Sequence, residues 1–173
     1  MSYPIIYVPY QDTAVSQPQS TIVLDNRSSS VERIGTWTTF SGAGFYGFDS
    51  ESSGTATPLK RFRWIPPIPA TGLYNVYVWW PNNTNRSTTV PYTLHHAEGD
   101  TVRTFNQRVG GNQWVLHGRY KMQRGTTTSV EVTNANGIAG ADAVKFEYAG
   151  AANSNQRQRN LRRAPSGFVP FNK

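Results

Sequence analysis

Hydrophobic and polar side chains alternate along much of the chain between residues 20 and 149. In residues 59–65, for example, Phe62 and Trp64 alternate with two arginines. A period of two is typical of a β-strand with one buried face, and Gly, Asn, Asp or Pro separates most of the runs. We therefore predict an all-β fold, an antiparallel β-sandwich of jelly-roll type with extended N- and C-terminal arms. The nine predicted strands cover residues 20–25, 35–40, 59–65, 73–80, 90–97, 101–108, 113–122, 128–134 and 142–149.

The two ends of the chain differ from this central part in composition. Three prolines punctuate residues 1–20, which favours an extended segment over a helix. Residues 149–173 hold five of the 17 Lys and Arg residues and none of the 10 Asp and Glu residues. We predict three regions: an extended N-terminal arm (1–20), a β-sandwich (21–148) and a basic C-terminal arm (149–173).

The C-terminal arm ends in an apolar group that follows a basic linker. Arginines in such a linker can pair with an acidic surface, and phenylalanine rings can fill pockets on a partner. The residues expected to anchor the arm on a neighbouring subunit are Arg157, Arg159, Arg162, Arg163, Phe168 and Phe171.

Residues 22–148 contain a series of short motifs: IVLDN (22–26), GTWTT (35–39), GFYG (44–47), GTA (54–56), RWIPPIP (63–69), GLYNVYVWWP (72–81), NRS (85–87), VPYTLHH (90–96), NQRVGGNQW (106–114) and GADAVKF (140–146). Their order and spacing resemble the golvesin C-terminal-like domain, which is also found beside enzymes of the xanthan lyase type. Two features depart from the family pattern: the doubled His95-His96, and His117, which is inserted in VLHGRY. The resemblance implies a β-sandwich similar to carbohydrate-binding modules, and it implies no catalytic residues.

Candidate catalytic or metal-binding residues are few. The chain has no cysteine, so it can form neither a disulfide nor a thiolate site. Adjacent strand residues point to opposite faces, so His95 and His96 cannot serve one site, and the three histidines lack zinc-ligand spacing. No pair of carboxylates stands out as glycosidase-like. We expect a protein without enzymatic activity or cofactor.

Two aspartates have a structural interpretation. Asp25 and Asp142 lie next to predicted terminal strands, where a carboxylate can accept backbone N–H hydrogen bonds in a turn. A structural calcium ion bound by loop oxygens is the less favoured alternative, because the sequence has no dense Asp/Asn cluster.

The adjacent tryptophans of VYVWWP lie at the end of a predicted strand. Alternation places Trp80 in the core and Trp79 with Tyr77 on the outer face, whereas Trp37, Trp64 and Trp114 are predicted to be core residues. Flat aromatic area beside amide and guanidinium donors suits a sugar ring or a protein partner. The alternative is that the protein's own loop covers Trp79. The predicted glycan- or partner-binding residues are Tyr77, Trp79, Asn83, Asn85 and Arg86.

Two functional hypotheses follow from these features. The first is a structural subunit that its arms dock onto other protein subunits of a large assembly, specifically a virion component of a bacteriophage. The second is a carbohydrate-binding module for cell-surface polysaccharide, at an extracellular or cell-surface location. Nucleic-acid binding by the basic arm is less favoured, because the sequence between the arms is nearly neutral. The sequence shows neither an export signal nor a membrane span, so we expect a soluble protein without membrane contact.

Overall fold

Residues 21–152 form an all-β structure with antiparallel strand pairing and no helix among these residues. The structure is a computed structural model that describes residues 21–152 of the 173-residue chain. A four-stranded sheet has the order β1 (Thr21–Asp25), β12 (Ala143–Gly150), β6 (Gly72–Trp79) and β9 (Val115–Met122). A five-stranded sheet has the order β2 (Val31–Ile34), β5 (Arg61–Trp64), β10 (Ser129–Thr133), β7 (Val90–His96) and β8 (Gly99–Phe105).

A third, short sheet lies beside the loops that follow β6 and β8. It consists of β11 (Gly140–Ala141), β4 (Ser50–Ser52) and β3 (Thr38–Phe40). Gln107, which follows β8, accepts a hydrogen bond from the backbone N–H of Gly140 at 2.7 Å. Arg86, in the loop after β6, donates to the hydroxyl of Ser52. Polar side chains therefore support the short sheet, in addition to the contact of Ala141 with the apolar core.

The core lies between the two larger sheets, which confirms the predicted β-sandwich. Alternate residues of β6 are buried, including Tyr74, Val76 and Val78, and they pack with Phe62 and Trp64 of the opposite sheet. Burial of apolar surface at about 25 cal/mol per Å² makes this interior the main source of stability. Trp80 continues the buried series, as predicted.

The sequence pattern did not predict three of the observed strands. β2 is exposed over most of its length, and β4 and β11 contain only small or polar residues. Such strands lack the apolar alternation by which strands are recognised in a sequence. β1 begins at Thr21 and β12 ends at Gly150, so the strand includes the first two residues of the predicted C-terminal arm. The N-terminal arm and residues 153–173, with the six predicted anchoring residues, lie outside the described residues. The division at 20 and 148 therefore stays a prediction.

His117 occupies a β-bulge in β9. Gly118 pairs with Val76 and Leu116 pairs with the next residue, Tyr77, so His117 is the extra residue of the bulged strand. Its ring turns inward and is fully buried, while Leu116 on the opposite side is 47% exposed. The insertion seen in the sequence thus changes which β9 residues face outward.

Candidate functional site

The outer face of the four-stranded sheet carries a row of side chains centred on Tyr77. Tyr77 in β6 pairs with Lys145 of β12 on one side and with Leu116 of β9 on the other. Lys145 in turn pairs with Val23 of β1. Directly paired residues of an antiparallel sheet project from the same face, so these four side chains form one continuous row.

Three more aromatic residues lie beside this row. The ring of Trp114 is 5.3 Å from that of Trp79 and 5.0 Å from that of Tyr46, and Tyr46 lies 5.8 Å from Trp79. Lys145 joins them to the row, because its Nζ lies 4.3 Å from the centroid of Tyr77 and 5.2 Å from that of Trp114. Cation–π contacts of this kind hold a lysine against aromatic faces. We call Tyr46, Tyr77, Trp79, Trp114 and Lys145 the aromatic cluster.

The carboxylate of Glu147 lies next to Lys145 of the aromatic cluster. Lys145 Nζ donates to Glu147 Oε1 at 2.6 Å, and this hydrogen bond lowers the pKa of Glu147. Burial, together with Glu147, raises the pKa of Tyr77, so its hydroxyl stays protonated at neutral pH. An ammonium, a phenol and a carboxylate therefore lie next to half-buried aromatic rings. The polar groups can hydrogen-bond the hydroxyl groups of a ligand, while the aromatic rings can stack on a flat apolar surface of that ligand.

The loop of residues 41–49 covers one side of the cluster. Trp79 Nε1 donates to the carbonyl of Gly44 at 2.8 Å, and the backbone N–H of Tyr46 donates to Asp142 Oδ2 at 3.2 Å. Asp142 is fully buried, and burial raises its pKa to about 8. Trp79 thus lies on the outer face, which was the first sequence-based prediction for it. It also contacts the protein's own loop, which was the alternative. Asp25 accepts from the backbone N–H of Arg27 at 3.1 Å, in the turn after β1 as predicted, whereas the donor to Asp142 comes from a loop 96 residues away in the sequence.

Two predicted placements of aromatic and cationic residues are wrong. Trp114 is half-buried on the outer face rather than in the core, because it lies beyond the bulge at His117, which shifts the strand by one residue. Arg86 is only 1% exposed and points beneath β4, where it donates to Ser52, so it cannot contribute to an exposed face. Of the other tryptophans, Trp64 is fully buried, and Trp37 is half-buried against Phe62.

The predicted asparagines belong to the loop after β6. Asn83 Oδ1 accepts from the backbone N–H of Asn85, and the backbone N–H of Asn83 donates to the carbonyl of Gln107. Among the hydrogen bonds within residues 21–152, none joins either asparagine to Tyr77 or Trp79. Their predicted role beside the aromatic residues stays a prediction.

Sequence reasoning missed Tyr46, Trp114, Leu116 and Lys145 as parts of this surface. For Lys145 the signal was present, since the alternation of β12 puts it opposite the buried Val144 and Phe146. No local pattern indicated that Tyr46, from a glycine-rich loop, packs on Trp79.

The histidines form structural contacts. Nε2 of His117 lies 3.2 Å from the carbonyl of Tyr92, which can only accept, so this nitrogen carries the proton and Nδ1 accepts from the Tyr120 hydroxyl at 2.9 Å. His95 pairs with Asp100 at 2.7 Å. Within residues 21–152 no three His, Cys, Asp or Glu side chains are arranged to hold a metal ion. In the same range no helix is long and apolar enough to cross a membrane.

Comparison with known proteins shows the family of this chain. The family model of the golvesin C-terminal domain matches residues 22–148. The chain belongs to this family. It is also 36% identical over 141 residues to a xanthan lyase from Bacillus sp. (strain GL1), a match that covers 75% of this chain and 15% of the lyase. The chain therefore spans a small part of that enzyme.

Solved structures show the same relationship. The structure of a Paenibacillus xanthan lyase matches with a TM-score of 0.71 and 34% identity over 76% of this chain and 13% of the lyase chain. The CBM35 from Cellvibrio japonicus Abf62 matches with a TM-score of 0.56 and 12% identity over 77% of this chain and 95% of that chain. A family 35 carbohydrate-binding module from Clostridium thermocellum matches with a TM-score of 0.50 and 14% identity over 75% and 99% of the two chains. At these low identities the two modules show a shared fold.

These matches correct one functional prediction. The similar proteins are a xanthan lyase and carbohydrate-binding modules, so the prediction of a virion or bacteriophage protein is wrong. That prediction was argued from the arms, of which residues 1–20 and 153–173 lie outside the described residues.

Proposed function

We propose that this golvesin C-terminal domain binds a polysaccharide through the outer face of its four-stranded sheet and has no catalytic role of its own. The observation that carries the proposal is the aromatic cluster with its row of Lys145, Tyr77 and Leu116, in which aromatic and aliphatic area lies directly beside an ammonium and a carboxylate. Sugar rings present the complementary surface, with C–H groups on their faces and hydroxyls at their edges.

The comparisons support this proposal at the level of the fold. Carbohydrate-binding modules share the β-sandwich, and the xanthan lyase, named for its polysaccharide substrate, contains a related segment. We infer that the domain acts outside the cell or at its surface, where such polymers occur. Xanthan is the first polymer to test.

Affinity electrophoresis of the full chain in gels that contain single polysaccharides tests the proposal. Leu116 and Val102 are both exposed strand residues, but Leu116 lies in the row beside Tyr77 and Val102 lies on β8 of the other sheet. We expect retardation by at least one polymer, a several-fold weaker effect for Leu116→Ala, and no change for the matched Val102→Ala.

Lys145→Met gives a second measure on the same face, because it removes the ammonium while keeping much of the aliphatic chain over Tyr77. We expect it to weaken retardation as well. Failure of every polymer to retard the wild type, or an equal loss in Leu116→Ala and Val102→Ala, would contradict polysaccharide binding by this face.

A further inference from the structure

The loop between β3 and β4 runs along one end of the outer face. On β6 it is held by Trp79, whose Nε1 donates to the carbonyl of Gly44 at 2.8 Å. On β1 it lies so close to Asp25 that a Cβ atom at Gly47 would be 2.5 Å from Asp25 Oδ2. Asp25 pairs with Ala143 of β12, and Ala143 pairs with Trp79. The loop therefore crosses three neighbouring strands of the sheet.

Phe48 is the most exposed large apolar side chain within residues 21–152, at 84%. It follows Gly47 and lies beyond β1, where the guanidinium carbon of Arg27 is 5.9 Å from its ring centroid. The next residue, Asp49, is buried and accepts hydrogen bonds from Arg27 and, at 2.8 Å, from Asn26. The backbone on both sides of Phe48 is thus fixed, and a side chain that is exposed in a fixed position loses little entropy on binding a ligand.

The loop and the row of Val23, Lys145, Tyr77 and Leu116 together form a surface that we call the shelf. The row crosses four neighbouring strands, about 4.8 Å apart, so it measures roughly 14 Å from β9 to β1 and accommodates about three sugar residues. Leu116 ends the row on the β9 side at 47% exposure, and Phe48 lies beyond β1 at the other end. Both ends of the shelf are therefore open, so a sugar chain can lie across the strands and continue past either end.

The cations beside the shelf already have carboxylate partners. Lys145 Nζ donates to Glu147 at 2.6 Å, and Arg27 Nε donates to both carboxylate oxygens of Asp49 at 3.0 Å. A paired cation attracts a further anion only weakly, because the two charges of the pair act on it in opposite directions. The aromatic and aliphatic area of the shelf therefore favours the C–H faces of uncharged sugar residues.

We propose that the shelf binds an internal, uncharged segment of an extended sugar chain, in which Phe48 stacks on a residue beyond the row. Chains of β-1,4-linked glucose have this extended form and present flat C–H faces. This choice of ligand rests on the proposed function, since the same face of the sheet is used. Phe48 is a binding residue in this arrangement, whereas Arg27 and Asp49 position it.

Isothermal titration calorimetry of the full chain with cellobiose and cellohexaose tests the proposal. We expect cellohexaose to bind about tenfold more tightly, because cellobiose is covered by the row alone. Phe48→Ala should weaken the binding of cellohexaose about three- to tenfold and leave that of cellobiose unchanged. The matched control Leu59→Ala removes an apolar side chain of 50% exposure just before β5 of the other sheet and should change neither affinity.

A second titration compares hydroxyethylcellulose, which is uncharged, with carboxymethylcellulose in about 0.5 M sodium chloride, where attraction between distant charges is screened. We expect hydroxyethylcellulose to bind at least as tightly as carboxymethylcellulose. Tighter binding of carboxymethylcellulose would overturn the preference for an uncharged chain.

Equal affinities of the wild type for cellobiose and cellohexaose, or an equal loss for both sugars in Phe48→Ala, would also overturn the proposal. Retardation of the wild type in the polysaccharide gels without any binding of cellohexaose would overturn the proposal and leave the proposed function intact. Absence of retardation by every polymer would overturn both.

Discussion

The backbone N–H of Tyr46 donates a hydrogen bond to Asp142 Oδ2, 3.2 Å away and 96 positions later in the sequence. This bond fixes the loop that brings Tyr46 against Trp79 and Trp114. Oδ1 of the same carboxyl is buried and has no partner within the described residues. Desolvation is the main cause that raises the pKa of Asp142 to about 8, with smaller contributions from Asp25 and Asp49.

Asp142 makes stability depend on pH between about 4 and 8. Its pKa is higher in the folded state than the ordinary 3.8, so the folded state holds a proton that the unfolded state has lost. The contribution of this proton to the free energy of unfolding is complete below pH 4. It is lost as the pH rises towards 8, with a slope of up to about 1.4 kcal/mol per pH unit.

Asp142→Asn removes this titration and keeps an oxygen for the N–H of Tyr46. Urea unfolding from pH 4 to 8 should show a shallower decline of stability in Asp142→Asn than in the wild type. Asp25, whose pKa burial also raises, contributes a slope of the same sign in both proteins. Identical slopes would mean that Asp142 is ionised throughout.

His117 should produce the opposite dependence. Burial lowers its pKa below the ordinary value of 6.5, so its contribution is present above pH 6.5 and is lost as the pH falls through the lower folded-state pKa. His117→Gln can still donate to the carbonyl of Tyr92 but does not titrate. In the same urea series, the variant should lose less stability than the wild type on the acid side of pH 6.5, whereas a parallel loss would argue against a buried neutral imidazole.

Trp79→Phe tests how the loop of residues 41–49 is held. The change keeps an aromatic ring but removes the N–H donor to Gly44, which should cost about 1 kcal/mol. Amide hydrogen exchange of Tyr46 should become faster, because the loop opens more often. Trp37→Phe is the matched control, since it removes an equivalent indole hydrogen bond to the carbonyl of Arg61. Unchanged exchange of Tyr46 in Trp79→Phe would show that Asp142 alone fixes the loop.

Asn134 holds the segment between β4 and β5. Its Oδ1 accepts from the backbone N–H of Lys60 at 2.7 Å, and its Nδ2 donates to the carbonyls of Thr55 and Pro58 at 2.9 Å each. Loss of three hydrogen bonds at a buried residue should lower the free energy of unfolding by about 3 kcal/mol in Asn134→Ala. Denaturant unfolding should show a change of at most about 1 kcal/mol in the exposed control Asn136→Ala, which loses one hydrogen bond, to the carbonyl of Thr89. A similar small change in both variants would contradict this role of Asn134.

Local pattern determined much of the fold. The alternation of Phe62 and Trp64, or of Val76 and Val78, requires strands with one apolar face, and two such sheets can bury those faces only against each other. The same parity placed Trp80 in the core and Tyr77 with Trp79 outside. These features follow from a period of two, which neighbouring residues specify by themselves.

The tertiary structure decided where the alternation of inward and outward side chains is interrupted and which distant segments meet. The bulge at His117 moved Trp114 to the outer face, because one extra residue reverses the side of every residue beyond it. Tyr46 reaches the aromatic cluster, and Arg86 is drawn beneath β4, through contacts between residues far apart in the sequence. The sequence by itself thus determined the strands of alternating apolar pattern and their inner faces. The packing of loops onto the sheets decided the composition of the candidate site, because such packing depends on long-range contacts that no local pattern encodes.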